Sequence, residues 1–245
     1  METKEYDIMY LAEASHWWYT GMTQIARSVI ETCYHQGKHL RILDAGCGTG
    51  AGMVWLSRYG RVSGLDISLH ALHLSQTRGH RELAAASLME IPFANETFDL
   101  VTSFDVLYFA GVNDEAALQE FFRILAPGGR VLVRVPAFNW LRGIHDIKVS
   151  TGHRYTVKEL STKMNLSGLQ PEFLSYANMI LFPLAALKRL SERWLPQQTD
   201  SDITIDLKYL NKLFQACLML ESRFITHWSF PFGLSVIGVG KKPFG

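Results

Sequence analysis

Seven residues, Asp44-Ala45-Gly46-Cys47-Gly48-Thr49-Gly50, constrain this chain more than any other stretch. They follow Arg41 to Asp44, which reads as a short strand, and they precede Ala51 to Tyr59, which reads as a helix. Glycines spaced this closely let backbone approach a ligand and take angles that side chains resist. The first N–H groups of the following helix then face whatever the loop holds. The loop therefore reads as a nucleotide-binding turn, with a tight turn lacking a ligand as the bland alternative.

Strand and helix signals alternate on both sides of it. The segment to about Gly37 reads as helical, with Ile25, Val29 and Ile30 at helical spacing. Arg61 to Asp66 is a second strand. Ser68 can cap a helix carrying Leu69, Leu72 and Leu74, and Gly79 sits where that helix can stop. Phe98 to Phe104 is a third strand. Ala117, Leu118, Phe121, Phe122 and Leu125 share a helical face that Pro127-Gly128-Gly129 ends. Arg130 to Val135 is so apolar that it reads as a strand buried on both faces. This succession predicts an α/β fold: a parallel sheet with helices on both faces and a ligand site at the strands' carboxyl ends. Beyond it, Thr156 and Glu159 have capping-box spacing. Glu172 to Tyr176 and Leu234 to Val239 read as strands. Helices at about 179–194 and 206–222 form an insertion between them.

Length and charge bound the function. The chain has 245 residues, enough for a single domain with an elaboration. Lys and Arg outnumber Asp and Glu by one, so no general attraction to nucleic acid is expected, although a local basic patch stays open. Cys33, Cys47 and Cys217 form no CxxC pair, which favours a reducing, cytoplasmic setting over a disulfide framework. His70 and His73 stand three apart without an evident third ligand, so no metal site is expected. The start METKEYDIMY carries acids where a signal peptide has a basic, then apolar, run. No uninterrupted apolar run of about 18 residues suggests a transmembrane segment. Met179 to Leu187 is the most apolar stretch, short and interrupted by Pro183. Followed by Lys188 and Arg189, it reads as a packed helix or lid, with an apolar acceptor pocket, a dimer face or shallow membrane contact as alternatives.

Two acids narrow the loop's ligand. Asp44 stands two residues before the first glycine, where a carboxylate can hold a cationic amino group directly or through water. Asp66 ends the next strand, where an acid suits the two hydroxyls of a ribose. Taken alone, Asp66 could be a helix-capping or turn acid; with the glycine loop upstream, the ribose role is favoured.

DAGCGTG, GLDIS, IPFANETFDLVTSFDVLYF and FFRILAPGGRVLVRVP, together spanning about residues 40–137, resemble a class I S-adenosylmethionine-dependent methyltransferase of the UbiE/UbiG-like group. The resemblance implies a Rossmann-like, mostly parallel seven-stranded sheet, with S-adenosylmethionine as cofactor. It divides the single domain into an N-terminal helical lid (1–37), a cofactor-binding core (38–140), a substrate loop with helical insertion (141–233) and a last strand (234–245).

By the same resemblance, Asp44, Ala45, Gly46, Cys47, Gly48 and Gly50 cradle the cofactor, and Asp66 binds its ribose. Ile67 flanks adenine. Ser87 and Leu88 stand where the family has an acid and a small or apolar residue, so a neutral hydroxyl replaces the expected carboxylate. Phe104 and Asp105 lie beside the methionine end. Trp18 and Tyr19 belong to an aromatic run that folds over the cofactor, with ordinary helix packing as the alternative.

Acceptor handling falls to the segment after the fourth strand and to Tyr108. Asn139, Trp140 and His153 are substrate contacts, His145 beside Asp146 is a base, and Tyr155 is an orienting donor. Similar methyltransferases with this pattern are found in glycan or secondary-metabolite settings. The expected partner is a small-molecule acceptor, apolar or glycan-linked, methylated on O, N or C by a monomer or homodimer. Gly46-x-Gly48-x-x-Ala51 also fits a dinucleotide fingerprint. An NAD-dependent oxidoreductase and a non-catalytic methyltransferase-like binding protein therefore remain as rivals.

Overall fold

The computed structural model describes residues 3–34, 39–143, 146, 151–194 and 208–244. The N-terminal segment is two helices, α1 (Thr3–Ala12) and α2 (Trp17–Cys33). His16 divides them: its ring accepts the N–H of Trp18 at 3.3 Å and caps α2. The core then runs β1 (Leu40–Ala45), α3 (Ala51–Leu56), β2 (Gly60–Asp66), α4 (Leu69–Thr77), β3 (Leu83–Ala85), β4 (Phe98–Phe104), α5 (Asp114–Ile124) and β5 (Leu125–Pro136). After a 3-10 turn at Asn139–Leu141 come α6 (Val157–Leu166), β6 (Gln170–Ala177), α7 (Phe182–Trp194), α8 (Lys208–Phe224) and β7 (Ser235–Lys241).

The strands form one seven-stranded sheet in the order β3-β2-β1-β4-β5-β7-β6. The first five are mutually parallel, and β7 runs antiparallel to both neighbours. The seventh strand is β3, three residues that no periodicity announces. Its pairing with β2 places Ala85 beside Asp66. The insertion read between the last two strands is present as α7 and α8. Ala177, where β6 ends, pairs with Ser235, where β7 begins.

Burial explains the layers. One apolar cluster joins β4 and β5 to α5 and α6 through Val101, Val133, Phe121 and Leu160. On the other face, Met22, Ile25 and Val29 of α2 meet Ile42, Leu132 and Ile237 of the sheet and Leu218 of α8. Caps define several helix starts: Ser68 accepts from the N–H of Ala71, Asn113 from Ala116 and Thr156 from Glu159. Each satisfies an N–H that the helix itself leaves open.

The α2–α8 contact depends on a missing side chain. A Cβ on Gly21 would come within 2.5 Å of Leu218 Cδ1. Gly21→Val should therefore prise α8 off α2, costing about 1–3 kcal/mol by overpacking. Thermal melting checks this: a Tm drop of a few degrees is expected, and an unchanged Tm would show that the interface absorbs the added volume.

Candidate functional site

Because β1, β2, β4 and β5 are parallel, their carboxyl ends meet on one edge, and the sequence's acids gather there. The loop after β1 turns on positive φ at Gly46 (+83°) and Gly48 (+52°). A Cβ at Gly46 would collide with Val106, and one at Gly48 would press on Met9 Cε of α1 at 3.0 Å. The Gly48 N–H donates to Asp66 Oδ2 at 2.9 Å, and the Ser68 N–H donates to Asp66 Oδ1 at 2.9 Å. Asp66 thus ties the tip of β2 to the glycine turn and to the start of α4. Burial raises its pKa against the pull of these N–H groups.

Asp44 lies deeper than the sequence suggests. It is buried beneath the loop, accepts the Thr102 hydroxyl at 2.8 Å, and leaves no room for a Cβ at Gly52, which would stand 2.6 Å from its Oδ2. Burial pushes its pKa from 3.8 up to about 7. Unfolded Asp44 ionises first as pH rises. Its contribution to stability is therefore complete below about pH 4 and is lost as pH climbs through the folded value near 7. Asp44→Asn should flatten the Tm–pH curve between pH 4 and 7; a curve with the parent slope would assign that slope to other groups. Cys47 is also buried, and desolvation raises its thiol pKa, which disfavours a nucleophilic thiolate.

α1 covers this turn. Glu13 accepts from the Thr49 hydroxyl and pairs with Arg78 at 2.8 Å. Arg78 also lies 4.3 Å from the Tyr10 ring centroid. Tyr6 is buried close to Asp66, and desolvation followed by that charge pushes its phenol pKa up to about 12. Ile67 is exposed. Ser87 accepts the Met89 N–H at 3.2 Å, and the side chain of Leu88 is core.

Beyond β4, Asp105 takes a left-handed backbone (φ 57°) and pairs with Arg134 at 2.5–2.8 Å. The Arg134 guanidinium lies about 5 Å from the ring centroids of Trp18 and Phe104. Sequence reasoning missed Arg134, although a signal was present: a charge inside the apolar run RVLVRVP must find a partner when buried. Tyr19 and Tyr108 face the same region. Burial first raises both phenol pKa values, followed by the charges of Glu13 and then Asp105 for Tyr19 and by that of Asp105 for Tyr108, so both hydroxyls stay protonated. Arg27 lies apart, beside Tyr59 and Glu31.

A second group follows β5. Asn139 accepts the Arg154 N–H at 3.0 Å and lies 3.4 Å from His153 Nδ1, whose Nε2 meets Glu159 at 2.6 Å. Glu159 thus reaches His153 in addition to bonding Thr156 through its N–H. Trp140 joins an aromatic group with Phe138 and Phe182. The Tyr155 hydroxyl is buried against Asp114 Oδ2 (2.5 Å) and the Leu107 carbonyl. Asp146 pairs with Arg154 at 2.8 Å; burial opposes its ionisation, but this partner holds its carboxyl below the usual range. His145 lies outside the described residues. A cavity of about 370 Å³, walled by Tyr108, Asp114, His153, Tyr155 and Lys163, opens between the β4 loop and α6. Tyr108 is the link between the two groups.

A family model described as a methyltransferase domain matches residues 43–133, from β1 through the glycine turn and Asp66 to β5. That stretch is similar to the class I S-adenosylmethionine-dependent methyltransferases. It is 33% identical over 138 residues to a demethylmenaquinone methyltransferase of Lactiplantibacillus plantarum, covering 51% of this chain and 54% of that one. These matches span about half, or less, of the length of this relative and of two others, a methyltransferase of Streptomyces halstedii and one of Encephalitozoon cuniculi.

Among solved structures, a methyltransferase in complex with the Trm112 activator of Haloferax volcanii shares the fold at a TM-score of 0.64. It is 18% identical and covers 99% of this chain and 95% of that one. A phosphoethanolamine N-methyltransferase of Haemonchus contortus, solved with S-adenosylmethionine, gives a TM-score of 0.57 at 17% identity, covering 89% of this chain and 52% of that one. The methyltransferase match and this neighbour both point to S-adenosylmethionine as the ligand of the turn. One feature of the chain suits that molecule: Asp66 ends β2 beside the glycine turn as a carboxylate whose oxygens keep lone pairs beyond those its two backbone donors use, as a ribose diol requires, whereas the Gly48 N–H is already given to Asp66 and the turn lies beneath α1.

Proposed function

We propose that this chain methylates a small-molecule acceptor held at the carboxyl edge between the glycine turn and the Asp105–Arg134 pair. The observation that carries the reading is Asp66, fixed by two backbone N–H groups at the rim of that turn. S-adenosylmethionine, when bound, supplies an electrophilic methyl group. Gly46 to Gly50 and Asp66 would hold and orient it, with Ile67 and Leu88 beside its adenine.

The Asp105–Arg134 pair brings an anion and a cation into the site together, so the wall beside the reacting centre carries little net charge. Trp18 and Tyr19, at the start of α2, would close over that wall and exclude water. The protonated hydroxyls of Tyr19 and Tyr108 can donate to an acceptor's oxygen or nitrogen and fix its lone pair in line. A displacement of this kind asks mainly for alignment, because the leaving thioether needs no proton. Where the acceptor carries a proton that must leave, His145 is the candidate base. Asn139, Trp140 and His153 would form the outer acceptor wall, and Tyr155 would brace the Leu107 loop through Asp114. The helices at 1–37 act as the lid. A cytoplasmic setting accords with the free cysteines.

The test uses S-adenosylmethionine labelled in its methyl group, incubated with the purified chain and a small-molecule extract. Label appearing in the low-molecular-weight fraction is expected. Label recovered only in protein or nucleic acid would overturn the acceptor class. Titration of NADH serves as the control: NADH binding without S-adenosylhomocysteine binding would overturn the reading altogether.

A further inference from the structure

α8 is apolar on two faces, and among the described residues only one of them packs against the rest of the fold. Leu218 and Ile225 bury against α2 and the sheet. On the outer side, Tyr209, Leu213, Leu220 and Phe224 recur at helical spacing, and Trp228 in the following turn stacks on Phe224 with ring centroids 5.6 Å apart. Tyr209 is 90% exposed, Trp228 65% and Leu213 57%. Contiguous apolar patches this rich in large side chains are uncommon on a surface that faces only water.

We infer that the outer face of α8 docks the protein onto an anionic lipid surface. Charge selects this occupant. Lys212 and Arg223 are exposed along one edge of the stripe, while the only acid of the helix, Glu221, is buried. A second copy packed face to face would bring the same cations and no acids to meet them. An anionic bilayer offers hydrocarbon to the stripe and lipid phosphates to its basic edge. The ends of the stripe fit as well, since Tyr209 and Trp228 carry both an apolar ring and a polar atom, as side chains at a headgroup boundary do. No helix among the described residues is long and apolar enough to cross a membrane, so α8 would lie in the plane of the interface.

Docking there would place the acceptor site close to the lipid. Asn211 of α8 accepts the Trp17 N–H at 2.7 Å and donates to the Ser15 carbonyl at 3.0 Å, and Phe214 packs edge-on to Trp17 at 5.2 Å. The helix on the membrane is thus bonded to the helix start that carries Trp18 and Tyr19. The inference stands on the surface of α8 and holds whatever the acceptor proves to be.

Flotation of the full chain with phosphatidylcholine vesicles, with and without phosphatidylglycerol, tests it. The parent chain should float with the anionic vesicles and release as salt is raised. The double variant Leu220→Ser/Phe224→Ser should lose roughly 10-fold or more in partitioning, from the apolar area no longer buried. Lys212→Gln/Arg223→Gln should lose a similar factor on anionic vesicles alone. All four side chains are exposed, and an unchanged Tm separates lost docking from lost folding. No flotation at low salt would overturn the inference. So would flotation that ignores both double variants, or a dimer in sedimentation equilibrium that Leu220→Ser/Phe224→Ser dissolves.

Discussion

Asp66→Ala should bind S-adenosylhomocysteine at least about 100-fold more weakly than the parent chain, because the two hydrogen bonds proposed from the ribose to a charged acceptor are lost at about 1.5–3 kcal/mol each. The carboxylate does two jobs at once. On the proposed reading it meets the ribose; it also holds the Gly48 N–H and Ser68 N–H in place, so its removal loosens the glycine turn as well. Isothermal titration reads the loss. Asp66→Asn, which keeps one acceptor oxygen, should fall between the two. A parent-like affinity in Asp66→Ala, with the melt unchanged, would remove Asp66 from the binding site.

The second large effect is on stability. Glu221 is buried in α8, and its carboxylate accepts the N–H groups of Asn178, Met179 and Ile180 at 2.5, 2.8 and 3.2 Å. It thereby satisfies the backbone where β6 turns into the insertion, at an Asn178 held in the left-handed region (φ 61°). Burial raises its pKa, and the three N–H groups pull the other way. Glu221→Ala leaves the buried Asn178 N–H and the part-buried N–H groups of Met179 and Ile180 unpaired, at a cost of about 3–5 kcal/mol, which lowers Tm by roughly 10 °C in a chain of this size. Hydrogen exchange should quicken at residues 178–180 in particular. A Tm shift of only one or two degrees would mean that water reaches these amides when the carboxylate is gone. Glu221→Gln, able to accept but uncharged, should lose about half as much.

How much of this was legible in the sequence varies by mechanism. The parallel core was readable because buried strands and amphipathic helices carry strong periodicities, and because the glycines and Asp66 mark the strand ends. The division between α1 and α2 was not, since neither Gly nor Pro punctuates it and the cap is a histidine. β3 escaped because three residues cannot display a period. Arg134 was visible only as an oddity. Its partner depends on the β4–β5 register, which sets Phe104 opposite Arg134 and leaves Asp105 at its side. The same limit applies to Glu159, whose spacing announces a cap while its carboxylate is spent on His153. Local pattern names the elements; pairings across the sheet decide which charges meet.

The pairing of Ala177 with Ser235 means that the chain leaves the sheet for α7 and α8 and re-enters it at the neighbouring position. To the sheet, everything in between is a hairpin loop grown large. Its two ends stay one strand spacing apart whatever the loop contains, and closing a longer loop costs only the logarithm of its length. The glycine turn and Asp66 sit on the far half of the sheet, beyond β4. The fold therefore separates a part that must keep one geometry from an insertion that can be lengthened, provided Leu218 and Glu221 of α8 keep their contacts with α2 and the end of β6. New chemistry at the acceptor end could arise by editing that loop alone.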